Sequence, residues 1–191
     1  MKSRTTDVLR TVQLLGLSLW AGGTVFFSFA VAPNIFSSLE HELPVHPPPG
    51  WHWLSSESGR RLAGEIVGAI FPTYFCGQLI AGIVALATGC LLAWRGRPGR
   101  IRLALILVAT AMVLVQLAFV LPHSTALLDE SYRTQDLGDK ITAEDLRKNF
   151  GMWHGISQTL NLGTILLVLA TIVLVGIEKS DSQTSSSETV R

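Results

Sequence analysis

Four long apolar stretches alternate with polar or charged segments along the chain. Residues 11–32 and 66–94 carry no charged side chain, and residues 103–121 contain only one threonine and one glutamine as clearly polar groups. Residues 151–177 contain a single ionisable side chain, that of His154. A membrane-spanning helix needs about 20 mostly apolar residues. The pattern therefore predicts an all-α fold, an integral membrane four-helix bundle with one span in each stretch.

The polar segments complete one predicted domain over residues 1–177. Residues 34–58, rich in proline, histidine and tryptophan, are expected to form an outer loop. The sequence that starts at Thr142 resembles a helix cap, so helix 4 is expected to begin well before its span, and helix 2 to project in the same way. The serine-rich residues 178–191 are expected to form a disordered cytoplasmic tail.

Basic residues are distributed unevenly around the spans. The turn between spans two and three carries four arginines and no acid, whereas acids accompany the basic residues of the two longer connections. Because basic loops stay cytoplasmic, we expect an N-in/C-in topology. Counting about 20 residues outward along each helix then places Pro33, Pro72, His123 and His154 in one layer at the outer interface.

Composition narrows the class of function. Charged residues make up only 15% of the 191 residues, against about 25% in an average soluble domain. The net charge of +1 gives no reason to expect a nucleic-acid partner. We expect the lipid bilayer as the main partner, with another membrane protein or a second copy of the chain as a further one. The expected location is the cell membrane, in multi-pass form, as in a bacterial inner membrane.

Polar side chains follow one face of the fourth span at helical spacing. Asn161 lies about two turns below His154, inside the hydrocarbon, where an amide must find a partner. A bond between helices is the simpler interpretation, and an outward-facing polar pocket is the functional one. Glu65 would project over the pocket mouth unless it forms a surface ion pair with Arg61, four residues before it. The candidate pocket residues are Glu65, Tyr74, Ser157, Gln158 and Asn161.

Small and aromatic residues indicate where helices pack. Trp20 lies near mid-membrane, so it is expected inside the bundle, and Gly22 and Gly23 are candidates for a close approach of two helices. Phe71 and Pro72 are assigned to helix packing as well, together with Pro33. Pro72 is expected to kink or interrupt helix 2.

Three stretches resemble a known family. They are Trp20-Ala21-Gly22-Gly23 with Phe26-Phe27 and Ala32-Pro33-x-x-Phe36; Ala63-Gly64-Glu65 with Ile70-Phe71-Pro72-x-Tyr74-Phe75; and His154-Gly155-x-Ser157-x-x-x-Asn161-Leu162-Gly163. They identify the chain as similar to bacterial-type members of the transmembrane protein 205-like family, also described as domain of unknown function 4149, over roughly Leu14 to Ile177. The resemblance implies a small four-helix membrane protein and supplies no reaction.

We therefore expect a membrane protein without intrinsic catalysis, with an accessory or interaction role and an outward-facing polar pocket. A first alternative is a haem- or copper-binding protein that uses His123 and His154 as ligands, against the simpler interpretation of interfacial histidines that bond to loops or headgroups. No firm metal site follows from the sequence. A second alternative is a small-solute transporter, although no Asp, Glu, Lys or Arg lies within the spans, as a proton or ion relay would usually require.

Overall fold

Four long helices account for most of the chain in the computed structural model, which describes residues 2–51, 55–95 and 99–188. They are α1 (Arg4–Val45), α2 (Ser56–Trp94), α3 (Arg100–Asp136) and α4 (Lys140–Ile177). Each is long and apolar enough to cross a membrane. The predicted fold class, an all-α four-helix membrane bundle, is therefore confirmed.

The helices extend beyond the apolar spans at the end of the bundle that holds Val45, Ser56, Asp136 and Lys140, here called the distal end. Helix α1 continues to Val45, so most of the first part of the predicted outer loop at 34–58 is helical. Hydropathy gives no signal for such polar helix ends, because they lie outside the hydrocarbon. At the opposite end of the bundle, α4 continues as a helix past Ile177 to Glu188, within the segment that was expected to form the tail. Residues 52–54 and 189–191 of the predicted loop and tail lie outside the described residues.

Side-chain caps fix where α2 and α4 begin. The Ser58 backbone N–H donates to Ser55 Oγ over 3.2 Å, and the Ser55 N–H donates to Ser58 Oγ over 2.8 Å, which is a reciprocal capping box. In α4 the cap is Asp139, whose Oδ1 accepts from the Thr142 N–H over 3.1 Å. The fourth helix therefore starts at Lys140, two residues before the cap that the sequence indicated at Thr142.

Prolines widen two of the helices. Three π-helical turns each end two residues before a proline: Phe27–Val31 before Pro33, Ser38–Glu42 before Pro44, and Gln116–Val120 before Pro122. A proline ring clashes with the carbonyl four residues before it, which in each case lies inside the π turn, and the extra residue of that turn relieves the clash. The π turns therefore follow from the prolines.

The α-helix of α2 continues through Pro72, so the proline does not interrupt it. Pro33 and Pro72 are both exposed, and their assignment to helix packing stays a prediction.

The core contains side chains from all four helices. Trp20 is 3% exposed and lies inside the bundle, as expected for a tryptophan at mid-membrane depth. The buried cluster around it consists of Leu17, Ala21, Phe75, Ala85, Ile106, Ala109, Val113 and Val168. It forms a closed layer in the middle of the bundle, below the candidate site.

Glycines permit close contacts between the helices, but not at Gly22 and Gly23. Gly22 and Gly23 are exposed, and nothing lies within 4 Å of a Cβ built on either, so they mark no contact among the described helices. At Gly82 an added Cβ would lie 2.6 Å from Thr110 Oγ1 and 3.0 Å from the Trp20 ring. Small residues in a sequence show that two helices can pack closely, but they do not show which face of the helix forms the contact.

Candidate functional site

A cavity lies among the four helices, between the core cluster and the distal end. Its volume is about 280 Å³. Each helix contributes to its wall, for example through Phe27 of α1, Phe71 of α2, Leu121 of α3 and Phe150 of α4. We call it the distal cavity. Well-packed interiors contain few voids larger than a water molecule, so a space of this size is not an ordinary packing defect.

Aromatic rings form one side of the distal cavity. Phe27 stacks on Tyr74 with ring centroids 4.4 Å apart, and it meets Phe71 edge-on at 5.6 Å. Phe71 in turn stacks on Phe75 at 5.7 Å. Phe27 begins the π turn of α1, so the proline two residues beyond that turn helps to place this ring. This side of the cavity is therefore aromatic, with the Tyr74 hydroxyl as its polar group.

An uncharged hydrogen-bond network joins three helices at the floor of the cavity. Asn161 Oδ1 accepts from the Tyr74 hydroxyl over 3.2 Å and, at the limit of a hydrogen bond, from Gln78 Nε2 over 3.5 Å. Asn161 Nδ2 donates to Ser28 Oγ over 3.0 Å. Trp20 Nε1 donates to Gln78 Oε1 over 3.3 Å, which ties the network to the core. Asn161 therefore both bonds across helices and lines the cavity.

Two further polar groups lie beside the cavity. Ser157 Oγ donates to Gln116 Oε1 over 2.9 Å, and Gln116 belongs to the π turn of α3. Gln116 is fully buried, and its Nε2 has no hydrogen-bond partner within the described part of the chain. The same holds for Ser124 Oγ, and Ser124 lines the cavity. Buried polar atoms without a partner are uncommon and costly, so Ser124, which lines the cavity, would gain from an occupant that can bond to its hydroxyl.

The two candidate histidine ligands occupy different environments. His154 lines the cavity, stacks on Phe150 at 5.6 Å, and its Nε2 lies 3.3 Å from Gln158 Nε2. His123 instead packs edge-on against Trp153, with ring centroids 4.5 Å apart, and is not part of the cavity wall. Among the described residues there is no group of three or more His, Cys, Asp or Glu side chains that could hold a metal ion. Ligation of haem or copper by this pair stays a prediction that the structure does not test.

Glu65 points away from the cavity. Its Oε1 accepts from Arg61 Nε over 3.3 Å, and it is absent from the cavity wall. Arg61 also forms a two-pronged ion pair with Asp136 of α3 at 2.9 and 3.2 Å. The surface ion pair that the spacing of Arg61 and Glu65 suggested is therefore the arrangement in the structure, and Glu65 does not cover the pocket mouth.

Three exposed residues of the wall indicate where the distal cavity reaches the surface. They are Pro33 on α1 and His154 and Gln158 on α4. The bond between Ser28 and Asn161 closes the gap between these two helices just below. The opening therefore lies between α1 and α4.

The fold and the cavity define a multi-pass membrane protein with a ligand-sized space between its helices. A family model described as Domain of unknown function (DUF4149) matches residues 15–133, and the chain belongs to this family. The match includes the α1, α2 and α3 parts of the cavity wall and ends before α4. A relative described as an uncharacterized protein from Aquifex aeolicus (strain VF5) is 26% identical over 159 residues, which is 83% of this chain and 90% of the relative. No solved structure matches the chain.

Proposed function

We propose that the protein is an accessory membrane protein that binds one small amphiphile in the distal cavity and catalyses no reaction of its own. The observation that carries the proposal is the composition of the cavity. Aromatic and aliphatic side chains form most of its wall, and no Asp, Glu, Lys or Arg is among the described residues that line it. Ligand sites typically combine such an apolar wall with a few well-placed polar groups.

The polar groups of the cavity suit the polar part of an amphiphile. Asn161 uses its oxygen and one N–H within the protein. Ser124 Oγ, by contrast, lines the cavity without a partner among the described residues, so it offers a hydrogen bond to an occupant. The opening between α1 and α4 would admit a molecule directly from the membrane, since both helices are expected to face lipid there.

Several narrower features belong to the same proposal. The arginine-rich turn supports an N-in/C-in topology, which would place the distal cavity on the outer side of a bacterial inner membrane. Kinship with transmembrane protein 205-like proteins is supported by the two motif stretches that fall within the family match. An accessory role implies a protein partner in the membrane, either a second copy of this chain or another membrane protein.

Photoaffinity labelling of the full chain in nanodiscs tests the binding proposal. The probe is a long-chain alcohol that carries a diazirine in its alkyl chain. We expect saturable labelling of cavity peptides, competed by the unlabelled alcohol. Gly68→Leu should abolish the labelling, because Gly68 lines the cavity and an added Cβ there meets nothing within 4 Å, so the larger side chain would fill the space.

Gly77→Leu is the matched control for this experiment. Gly77 lies on the same helix, an added Cβ there also meets nothing within 4 Å, and it is not part of the cavity wall. Saturable labelling that survives in Gly77→Leu and disappears in Gly68→Leu supports the proposal. Labelling that never saturates, or that both variants lose equally, overturns it.

A further inference from the structure

A second cleft lies one helical turn beyond the distal cavity. Its volume is about 330 Å³, and we call it the arginine cleft because three arginines contribute to its wall. The wall consists of Ser55, Glu57, Ser58, Arg60, Arg61, Tyr132, Gln135 and Arg147. In contrast to the distal cavity, it is predominantly polar and charged.

The cavity and the cleft share three helices in matching register. On α2, Gly64 lines the cavity and Arg61 lines the cleft; on α3 the corresponding residues are Leu128 and Tyr132, and on α4 they are Phe150 and Arg147. Separations of three or four residues equal about one helical turn, or about 5 Å along the axis. The two spaces are therefore stacked, with the cleft on the distal side.

Tyr132 forms the boundary between the two spaces. Its hydroxyl oxygen lies 3.3 Å from the position of a Cβ built on Gly64, so the absence of a side chain there makes room for it. The Arg61 guanidinium lies over the Tyr132 ring, 4.6 Å from the centroid. If the apolar end of a molecule occupied the cavity, its other end would reach the cleft by passing the side chain of Tyr132.

Two of the three arginines of the cleft are ion-paired with carboxylates, whereas Arg147 is bonded to a neutral amide. Arg60 is ion-paired with Glu40, and Arg61 with Asp136 and Glu65. Arg147 donates to the side-chain oxygen of Gln135 and pairs with no carboxylate among the described residues.

The amide of Gln135 separates Arg147 from the one acid in the cleft wall. Gln135 Nε2 donates to Glu57 Oε1 over 2.6 Å. A guanidinium has five N–H donors, so one bond to an amide leaves Arg147 most of its capacity.

We propose that the arginine cleft binds the anionic head group of an amphiphile whose apolar part occupies the distal cavity. This inference rests on the proposed function and names the ligand class: a single-chain amphiphile with a carboxylate or phosphate head. Guanidinium groups bind both anions with paired, charge-assisted hydrogen bonds. Arg147 is the principal contact, and the Tyr132 hydroxyl at the boundary is placed to assist it.

Competition between matched probes tests the inference on the full chain in nanodiscs of neutral phosphatidylcholine. A fatty acid, an alkyl phosphate and a fatty alcohol of equal chain length compete with the diazirine alcohol, at a pH at which the fatty acid is ionised. Hydrogen bonds to a charged group contribute enough that we expect the better anion to bind about tenfold more tightly than the alcohol. Whichever anion shows that preference identifies the head group.

Variants of Arg147 separate the head-group site from the cavity. Arg147→Gln should remove the preference for anions and leave binding of the alcohol unchanged, which also shows that the variant is folded. Arg147→Lys should retain part of the preference, because it keeps the positive charge. Arg133→Gln is the control, since Arg133 is an exposed arginine of α3 that pairs with Glu130 outside the cleft.

The outcomes distinguish the inference from the proposed function. Saturable and equal binding of acid, phosphate and alcohol to the unmodified protein overturns the inference and leaves the proposed function standing. An anion preference that Arg147→Gln retains also overturns it, since the preference then arises elsewhere. If no probe binds saturably, the proposed function fails and the inference fails with it.

Discussion

Replacement of Asn161 by leucine tests the network at the floor of the distal cavity. Asn161 is only 9% exposed and bonds to side chains of α1 and α2. Leucine keeps the branching at Cγ but removes the oxygen and both N–H groups. The Tyr74 hydroxyl loses an acceptor and Ser28 Oγ loses a donor, both in a part of the protein that is expected to exclude water.

The size of the effect follows from the number of bonds lost. Asn161 makes two bonds of ordinary length, at 3.2 and 3.0 Å, and a much weaker contact at 3.5 Å. Hydrogen bonds between membrane helices average about 0.6 kcal/mol, with a maximum near 1.7 kcal/mol. We therefore expect Asn161→Leu to lower the free energy of unfolding by about 1 kcal/mol, and by no more than about 3 kcal/mol.

The assay is reversible unfolding of the purified chain in mixed micelles at increasing fractions of sodium dodecyl sulfate. Thr159→Val is the matched control, because Thr159 is exposed and its hydroxyl bonds only to the Gly155 carbonyl within α4. A double-mutant cycle with Tyr74→Phe should give a coupling of about 0.6 kcal/mol. If Asn161→Leu unfolds like the control and shows no coupling to Tyr74, the network does not hold the helices together and the reasoning is refuted.

Three further predictions concern packing, pH and topology. Gly82→Ala should destabilise the bundle by about 1–3 kcal/mol through overpacking against Thr110 and Trp20, whereas Gly22→Ala, at an open position, should not; equal unfolding curves for the two variants would contradict this. The Thr142 hydroxyl and N–H hold the pKa of Asp139 below its ordinary value, so this cap contributes stability at neutral pH and loses it as the pH falls through the lowered pKa. Protection of the amides in the first turn of α4, measured as exchange relative to the intrinsic rate at the same pH, should therefore fall in acid in the unmodified protein, and this fall should be absent in Asp139→Asn. Cysteines placed at Gly50 and Gly99 should be labelled by a membrane-impermeant reagent from opposite sides, and labelling from one side would exclude the four-span topology.

Hydropathy alone predicted the number of helices, because each apolar stretch has the length that a bilayer requires. It could not predict where the helices end. The residues beyond the spans, such as those from Asn34 to Val45, mix polar and apolar side chains, and their helical state depends on caps and on contacts with neighbouring helices. The contact at Gly59 is one example: an added Cβ would lie 1.8 Å from the Leu39 carbonyl oxygen, so only glycine allows α1 to lie so close there.

The polar side chains of the site were recognisable, but their partners were not. An amide at Asn161 signals a need for partners, yet a spacing along one helix does not say which residues face it from another. Ser28 carried no signal of its own, since a serine in a membrane helix usually bonds within that helix. His123 and His154 were expected at one depth, but only His154 lines the cavity, because counting residues along a helix does not say which side of the helix a residue occupies.

The most direct test of the account is native mass spectrometry of the protein released from nanodiscs that contain the photoprobe's unlabelled alcohol. We expect one bound amphiphile per chain in the unmodified protein and in Gly77→Leu, and none in Gly68→Leu, whose added side chain fills the distal cavity. Equal occupancy in the two variants would contradict it, because the bound molecules would then lie outside the cavity.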